Sequence, residues 1–298
     1  MNKPKVLVIV GATASGKTSL AINVALTLNG EVISADSRQV YRGLNIGTAK
    51  VTETEMQGIP HHLIDIRDIS ESYSAADFAV DAAEIIETLT TKDKLPIIAG
   101  GTFFYIDTLL NRSITPAVEP NPELRAYLEE LSPAMLFDEL SRLDPVRANT
   151  IDRNNKRRLV RALEIVHELG SVPPATPAPC PYDVLTIGVS VPKDELRERY
   201  AVRARTWLTD GFVDEVKGLL DTGVSRDRIR ELGFEYSLML DLIDGKLNED
   251  EYITAFVQKN WQYAKRQLTW LKRDETIEWY SPTDREAVVA QVQEWVTN

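Results

Sequence analysis

The sequence predicts an α/β fold, a P-loop doubly wound parallel sheet with a small helical insertion and a helical C-terminal region. An apolar run at 6–10 leads into the glycine-containing segment 11–18, and a helical pattern follows it. Further predicted strands at 31–35 and 95–99 alternate with helical patterns, which is typical of a parallel sheet covered by helices. After residue 112 the strand signals give way to helical ones.

The first part of the core, 1–112, shows alternating strand and helix signals. The predicted strand at 5–10 is apolar without interruption, so we expect both of its faces to be buried. The helix at 18–29 ends at Asn29-Gly30, which is a typical stop signal. The other expected elements are a strand at 31–35, a candidate strand at 61–65, a helix at 73–89, a strand at 95–99 and a helix at 103–110.

Helical start signals mark the insertion that we expect at 113–150. Asn121-Pro122-Glu123 combines a cap, a first-turn proline and an acidic first turn. Ser132-Pro133 repeats this signal for a second short helix. The segment 151–298 is then expected to complete the core, with a helix at 154–169, a proline-rich surface loop at 172–181, a strand at 184–191, and helices at 193–208, 211–221, 225–243, 249–272 and 284–296.

Composition limits the classes of function. The net charge of −11 argues against a nucleic-acid-binding protein, although local basic patches can act within a Debye length. No apolar run is long enough to span a membrane, and the run at 6–10 is too short for a secretory signal, so we expect a cytoplasmic protein. The single cysteine, Cys180, excludes an internal disulfide and a cysteine-rich zinc site.

The segment 11–18 has the complete spacing G-x-x-x-x-G-K-[ST] of a phosphate-binding loop. Its glycines let successive N–H groups point inward, and the start of the helix adds partial positive charge, so the loop suits a di- or triphosphate. Lys17 can reach the outer phosphate, and the Thr18 hydroxyl can ligate Mg²⁺. The residues that we assign to phosphate binding are Gly11, Thr13, Ala14, Ser15, Gly16, Lys17 and Thr18.

Polar residues follow two of the other predicted strands. Asp36 could act as a general base, as a Mg²⁺ ligand through water, or only as the cap of a turn. The strand at 95–99 ends in Gly100-Gly101-Thr102, where a standard P-loop ATPase carries an aspartate. This departure weakens an ATP-hydrolysing interpretation. The two glycines fit either a close approach to a ligand or a tight strand-to-helix turn.

Basic residues cluster at three places. Arg157 and Arg161 lie four residues apart on one predicted helix, where they form either an RNA contact or an ordinary solvated face. Arg199 and Arg203 have the same spacing and could pair with nearby glutamates. The segment 265–273 combines basic and aromatic residues, which fits RNA contact or a helix that packs its tryptophans inward.

Several segments together resemble one family, the bacterial tRNA dimethylallyltransferases, also called tRNA isopentenyltransferases. Two places depart from the family pattern: its G-Y-x-E is Gly233-Phe234-Glu235-Tyr236 here, and an expected arginine is Trp261. The pattern R-x3-M-x3-G-L-x2-E-V is represented by Arg203, Gly211, Glu215 and Val216, with Trp207 at the usual methionine. The other matching segments, in family order, are 11–18, 34–50, 60–65, 100–105, 161–164 and 263–270.

The resemblance implies a prenyl transfer. The donor would be dimethylallyl diphosphate rather than ATP, bound with Mg²⁺ in the phosphate loop, and the acceptor would be N6 of adenosine 37 beside the tRNA anticodon. Asp36 would be the general base or would orient N6, and Thr102 would assist on the acceptor side. Charge on the leaving diphosphate would be stabilised by Lys17, Thr18, Thr13 and Arg203. The implied catalytic residues are thus Asp36, Thr102 and Arg203.

The resemblance also implies a set of tRNA contacts and a monomeric enzyme that binds the anticodon stem-loop. These contacts would be local, so that a few basic patches grip phosphates while the remaining surface stays acidic. The implied tRNA-binding residues are Asp36, Ser37, Arg38, Gln39, Thr102, Arg125, Arg157, Arg158, Leu159, Val160, Arg161, Lys265 and Arg266.

Two other functions are compatible with a phosphate loop. A kinase acting on a small metabolite would share the fold and could use Arg199 and Arg203 as lid arginines. A non-catalytic RNA-binding protein could use a bound nucleotide as a switch. Transfer from ATP without any effect of tRNA would favour the first, and a nucleotide-dependent change in RNA affinity would favour the second.

Overall fold

A computed structural model describes residues 3–113, 116, 118–119, 121–174 and 178–298. In these residues six strands form one sheet in the order β3-β2-β4-β1-β5-β6, and every neighbouring pair is parallel. This confirms the predicted α/β fold. The strands are β1 (Lys5–Gly11), β2 (Gly30–Ala35), β3 (His61–His62), β4 (Leu95–Gly100), β5 (Asp183–Val189) and β6 (Glu278–Tyr280).

The helices follow the predicted order with adjusted ends. They are α1 (Lys17–Leu28), α2 (Glu53–Met56), α3 (Ala75–Thr91), α4 (Phe103–Leu109), α5 (Pro122–Glu130), α6 (Pro133–Leu143), α7 (Pro145–Ala148), α8 (Lys156–Leu169), α9 (Lys193–Thr209), α10 (Phe212–Asp221), α11 (Arg226–Glu231), α12 (Phe234–Ile243), α13 (Glu249–Leu271) and α14 (Arg285–Thr297).

Both faces of β1 are buried, as its unbroken apolar run predicts. Val6, Val8 and Val10 point into one core cluster, which also contains residues of α3, α4 and α9–α13. Leu7 and Ile9 point into a second cluster formed with α1 and α14. Successive side chains of a strand alternate between faces, so a strand between two helical layers must be apolar throughout.

The sheet order brings three chain segments to one edge. The phosphate loop follows β1, Asp36 follows β2, and Thr102 follows β4, which lies between them. The strands are parallel, so all three segments lie at their carboxyl ends, where ligands bind in open α/β sheets.

Three features differ from the prediction. The helix expected at 225–243 is two helices, α11 and α12, which are separated at Gly233 with φ of 154° and ψ of 168°. The short helices α2 and α7 were missed because four residues are too few to show a helical period. The edge strand β6 was also missed, because it lies between the expected helices at 249–272 and 284–296, where no element was predicted.

The chain divides into two compact units, and the second runs from Arg112 to Ala178. It therefore extends past the predicted limits of 113–150 and includes α8, which we had expected in the segment that completes the core. The apolar face of α8 explains this, because Leu159 and Leu163 are fully buried with Leu136 and Leu140 of α6. Residues 1–2, part of the predicted insertion (114, 115, 117 and 120) and part of the proline-rich loop (175–177) lie outside the described residues.

Candidate active site

The phosphate loop is curled by residues in the left-handed region. Gly11 has a φ of 151°, and a Cβ there would lie 2.6 Å from the Val189 carbonyl oxygen, so only glycine fits. Gly16 has a φ of 99°, and Ala14 has a φ of 60°. Loop residues Thr13, Ala14, Gly16, Lys17 and Thr18 line a cavity of about 680 Å³, as do Asp36, Gly101 and Arg203.

Lys17 is held inside this cavity. Its ammonium group donates a hydrogen bond to the Ala12 carbonyl at 2.7 Å. Burial lowers the pKa of Lys17 to about 8, although the Asp36 carboxylate opposes this shift, and Arg203 adds to the lowering. A bound diphosphate would favour the charged form of this lysine.

Helix α9 holds the tip of the phosphate loop. Arg199 donates to the Ala14 carbonyl at 2.9 Å, and Tyr200 donates to the Thr13 carbonyl at 3.2 Å. The Arg203 guanidinium lies 3.4 Å from the Thr13 hydroxyl oxygen. The predicted residue Arg203 is therefore at the loop. Arg199, predicted only as a lid arginine of a kinase, lies there too, as does Tyr200, which was not predicted to be a site residue.

Asp36 caps a turn and also faces the cavity. Its Oδ1 atom accepts hydrogen bonds from the N–H groups of Arg38 at 2.8 Å and Gln39 at 3.3 Å. Among the described residues Oδ2 accepts no hydrogen bond. The cap role is thus satisfied by one oxygen, and the other can serve a ligand.

Thr102 lies beside this turn. Its hydroxyl accepts the Ser37 N–H at 3.0 Å, and its own N–H donates to the Ala35 carbonyl at 3.0 Å. A Cβ at Gly100 would lie 2.1 Å from the Ala35 carbonyl oxygen, so that glycine serves the tight strand-to-helix turn. The turn brings Asp36 and Thr102 together.

The segment 37–50, which begins next to Asp36, is held by side chains from α10 and α12. Glu215 accepts hydrogen bonds from the N–H groups of Asn45, Ile46 and Gly47 at 3.0, 2.6 and 3.1 Å. The Tyr236 hydroxyl donates to Glu215 at 2.8 Å. At one position where the chain departs from the family motif, Tyr236 thus supports the carboxylate that holds this loop.

Trp207 and Trp261, the tryptophans at which the chain departs from the family pattern, each contact a neighbouring side chain. Trp207 lies edge-to-face with Phe212 and Phe256, with ring centroids 5.3 and 5.2 Å away. Trp261 stacks under the ammonium group of Lys193, which lies 5.5 Å from its ring centroid. Both tryptophans therefore pack with residues of the same unit.

Glu235 was missed by sequence reasoning. Its carboxylate turns back over Gly233, where a Cβ would lie 2.7 Å from Oε2. Burial raises the pKa of Glu235 to about 7; its own backbone N–H and the Arg38 and Arg203 guanidinium groups oppose the shift, and Asp36 adds to it. No motif marked this residue, because its carboxylate is placed by the break between α11 and α12.

The predicted tRNA contacts of the second unit divide into exposed and engaged side chains. Arg157 and Arg158 are exposed at the start of α8. Leu159 and Val160 are 0 % and 4 % exposed, so their side chains lie in the core of the unit and a tRNA contact at these residues stays a prediction. Packing of α8 onto α6 requires these apolar groups on the inner face.

Arg125 and Arg161 surround the buried carboxylate of Glu164. Arg125 binds it through two hydrogen bonds of 3.1 and 2.7 Å, and Arg161 lies 3.6 Å from it. Arg161 also donates to the Val118 carbonyl at 2.8 Å. These two predicted RNA contacts are therefore occupied within the unit, because a buried carboxylate needs partners.

On α13 the predicted residues Lys265 and Arg266 are exposed. Trp270 of the same helix donates to Asp107 at 3.0 Å. Gln267, which lies between Arg266 and Trp270 in the chain, is buried and forms hydrogen bonds with Thr13 and Gly101. The helix thus presents its cations outward while its tryptophan and glutamine face the protein, so both interpretations of this segment apply to different side chains.

The residues at the cavity fit a magnesium ion that is held mainly by its substrate. Thr18 lines the cavity beside Lys17. Within the described part of the chain, no group of three or more His, Cys, Asp or Glu residues could hold a metal. Mg²⁺ often uses few protein ligands together with water and substrate phosphates, which suits this donor set. Among the residues that the structure describes, no helix is both long and apolar enough to cross a bilayer.

Comparison with known proteins places this geometry in one family. The model of the IPP transferase family matches residues 39–274. A tRNA dimethylallyltransferase of Thermomicrobium roseum is 43% identical over 291 residues, covering 95% of this chain and 88% of its own, and one of Halalkalibacterium halodurans is 40% identical, covering 95% and 92%.

Solved structures agree. The full-length tRNA isopentenylpyrophosphate transferase of Bacillus halodurans is 38% identical, with a TM-score of 0.73, and the match covers 99% of this chain and 96% of that one. A eukaryotic dimethylallyltransferase acting on tRNA is 28% identical with a TM-score of 0.85, covering 99% and 80%. The chain therefore belongs to the IPP transferase family.

Proposed function

We propose that this protein transfers a dimethylallyl group from dimethylallyl diphosphate to N6 of adenosine 37 in tRNA, with release of diphosphate. The observation that carries the proposal is the cavity of about 680 Å³, which is lined both by the phosphate loop and by Asp36. Family membership and the tRNA-acting relatives give the reaction class. We further propose that it acts as a monomer in the cytoplasm.

The donor half of the site would bind the diphosphate. The N–H groups of the loop and the start of α1 favour an anion, and Lys17 and Arg203 border the same cavity. During transfer the C1–O bond of the donor breaks and its electron pair leaves with the diphosphate. These cations would stabilise the charge that develops there, as would the Thr13 and Thr18 hydroxyl groups.

Mg²⁺ would be held by Thr18 and by the diphosphate oxygens. When bound, the ion would supply positive charge that offsets the charge of the leaving group. The remaining steps belong to the residues of this chain.

The acceptor half would use Asp36 and Thr102. A C–N bond forms between N6 and C1, and N6 then loses a proton. We assign that proton to Oδ2 of Asp36, because Oδ1 already accepts two backbone N–H groups. The adenine must leave its stack to reach this point, as in other enzymes that act on a base.

The exposed cations would hold the tRNA backbone. In the first unit Lys265 and Arg266 present free surface, and in the second Arg157 and Arg158 do so. We propose phosphate contacts for these four side chains, whereas Arg125 and Arg161 act first by neutralising Glu164.

The test is the transfer of labelled dimethylallyl diphosphate to tRNA that lacks the modification, with labelled ATP in a parallel reaction. We expect label on adenosine 37 from the prenyl donor alone. Label that moved only from ATP would refute the proposal and favour a small-metabolite kinase, for which Arg199 and Arg203 stand at the loop.

The role of Asp36 is tested with Asp36→Asn. An amide oxygen can still accept the two backbone N–H groups of the turn, so the fold is expected to persist while the proton acceptor is lost. We expect kcat to fall by about 10²–10⁴-fold with an unchanged Tm. Near-normal turnover of the folded variant would exclude a catalytic role for this carboxylate.

A further inference from the structure

Gln267 on α13 connects two loops that the proposed reaction uses. Its side chain is only 4 % exposed. Oε1 accepts a hydrogen bond from the Thr13 N–H at 3.0 Å, and Nε2 donates one to the Gly101 carbonyl at 3.1 Å. One buried amide therefore joins the phosphate loop to the end of β4.

On the donor side, Gln267 completes a set of bonds around Thr13. The Thr13 carbonyl accepts the Tyr200 hydroxyl, and the Thr13 hydroxyl faces Arg203. With the N–H bound to Gln267, every polar group of this residue has a partner. The tip of the loop is therefore held in place by side chains of α9 and α13 before any diphosphate binds, which is preorganisation.

On the acceptor side, Gln267 reaches the catalytic turn within one residue. Gly101 precedes Thr102, whose hydroxyl accepts the Ser37 N–H next to Asp36. A Cβ at position 101 would lie 2.7 Å from Nε2 of Gln267. A larger residue at position 101 would therefore have to push the amide of Gln267 away.

We infer that Gln267 is a positioning residue that fixes the distance between the bound diphosphate and the acceptor-side pair Asp36 and Thr102. This inference rests on the proposed function, since it assigns Gln267 a part in the same reaction. The substitution reaction needs the attacking nitrogen and C1 to be aligned and about 3–3.5 Å apart, and a shift of either group by about 1 Å can reduce the rate about 100-fold. The two hydrogen bonds of Gln267 hold the phosphate loop and the end of β4 at a fixed distance from each other.

A purely structural amide would stabilise the fold without affecting the chemical step, so the two roles differ in kinetics. Gln267→Met keeps similar volume and removes both hydrogen bonds. We expect kcat for prenyl transfer to fall by about 10–100-fold, while KM for donor and for tRNA stays within about threefold. Single-turnover measurements are used, so that product release does not hide the chemical step.

Gly101→Ala tests the same contact from the other side. The added methyl group displaces Nε2 of Gln267, so we expect a loss of kcat in the same range. Gly218→Ala is the matched control, because a Cβ there meets nothing within 4 Å, and it should leave kcat unchanged. In a Gln267→Ala background, Gly101→Ala should cost less than in the wild-type chain, since the contact is already gone.

The outcomes separate the inference from the proposed function. A wild-type chain that transfers no prenyl group would refute the proposed function. An active wild-type chain in which both Gln267→Met and Gly101→Ala keep normal kcat would overturn the inference alone. The inference would also be overturned if the folded variants raised KM without lowering kcat. Fully additive effects of Gln267→Ala and Gly101→Ala on kcat would overturn it as well.

Discussion

At the scale of single residues, Lys17 and Arg203 at the phosphate loop have neutral hydrogen-bond partners. Lys17 donates to the Ala12 carbonyl, and its pKa is lowered to about 8 by burial, which Asp36 only partly offsets. Arg203 lies against the Thr13 hydroxyl, whereas Arg199 donates to the Ala14 carbonyl and also pairs with Glu195 at 2.6 Å. Since burial of a cation without an anion is unfavourable, a diphosphate would supply the missing charge.

Glu235 gives a prediction about pH and stability. Its folded-state pKa of about 7 lies above the ordinary value of 4.5. The native state therefore binds more protons than the unfolded state between these values, and this group lowers the free energy of unfolding as pH rises through that window. Glu235→Gln removes the effect. We expect the free energy of unfolding of the variant, relative to that of wild type, to rise by about 1–2 kcal/mol between pH 5 and pH 8.

Urea unfolding at pH 5 and pH 8 measures this difference. Glu87→Gln is the control, because Glu87 is an exposed glutamate on α3, and it should show no comparable change. Equal pH dependence of wild type and Glu235→Gln would contradict the assignment of a raised pKa to this carboxylate.

Residues with a local signature could be predicted from the sequence, and residues placed by tertiary packing could not. The phosphate loop could be recognised by the spacing of its glycines, lysine and threonine, and Asp36 by its position directly after a predicted strand. Gln267 and Glu235 lie far along the chain from the residues they face, and nothing local indicates burial. Arg125 shows the opposite problem, because its partner, the buried Glu164, lies 39 positions away.

At the scale of elements, helix α10 holds the loop at 45–47 through one carboxylate. Glu215 accepts three backbone N–H groups and the Tyr236 hydroxyl. A Cβ at Gly47 would lie 2.4 Å from the Phe212 ring, so the loop packs directly on the same helix. The segment next to Asp36 is therefore fixed by α10 and α12 rather than by its own sequence.

Glu215→Gln is expected to loosen this loop. An amide nitrogen would replace one of the accepting oxygens and leave backbone N–H groups unpaired, which we expect to cost about 1–3 kcal/mol of unfolding free energy. Tyr236→Phe removes a single hydrogen bond to the same carboxylate and should cost about 1 kcal/mol. Chemical unfolding gives both values, and hydrogen exchange of residues 45–47 should rise mainly in Glu215→Gln.

An equal cost for Glu215→Gln and Tyr236→Phe, with unchanged exchange at 45–47, would contradict this account. It would mean that the Tyr236 bond, and not the three backbone contacts, carries the stabilisation.

Long apolar or periodic elements could be predicted, and short or edge elements could not. The buried strands β1, β2, β4 and β5 were found because strands covered by helices on both faces are mainly apolar. The edge strand β6 has only three residues and pairs on one side with β5. Such a strand needs its neighbour to form, and a sequence pattern does not reveal the neighbour.

At the scale of the whole molecule, an acidic chain must attract an acidic substrate. The chain has 45 acidic and 34 basic residues, which gives the net charge of −11. Charges more than a Debye length from the RNA are largely screened, so only the cations near the contact decide the affinity. The acidic residues elsewhere would then reduce binding to other nucleic acids rather than to the substrate.

The limits of the second unit show what whole-molecule reasoning requires. The apolar face of α8 was evident from the sequence, and both the sheet and the helices of the insertion were available to cover it. Periodicity gives the existence of such a face without its partner. Only the packing of Leu159 and Leu163 with α6 assigns α8 to the unit that runs from Arg112 to Ala178.

If only the cations near the contact hold the tRNA, the salt dependence of tRNA binding should change when those cations are removed. Each phosphate contact releases condensed counterions, so removing one cation should reduce the slope of log K against log salt by about 0.7–0.9. We expect Arg157→Ala combined with Arg158→Ala to reduce it by about 1.5, and Lys265→Ala combined with Arg266→Ala to do the same. Fluorescence anisotropy with a labelled anticodon stem-loop at several salt concentrations measures these slopes.

The control is Lys92→Ala, because the exposed Lys92 lies before β4, at the edge of the sheet opposite the phosphate loop. An equal change in slope for Lys92→Ala would mean that the field of the whole molecule governs binding, since a local contact cannot depend on a cation at the far edge.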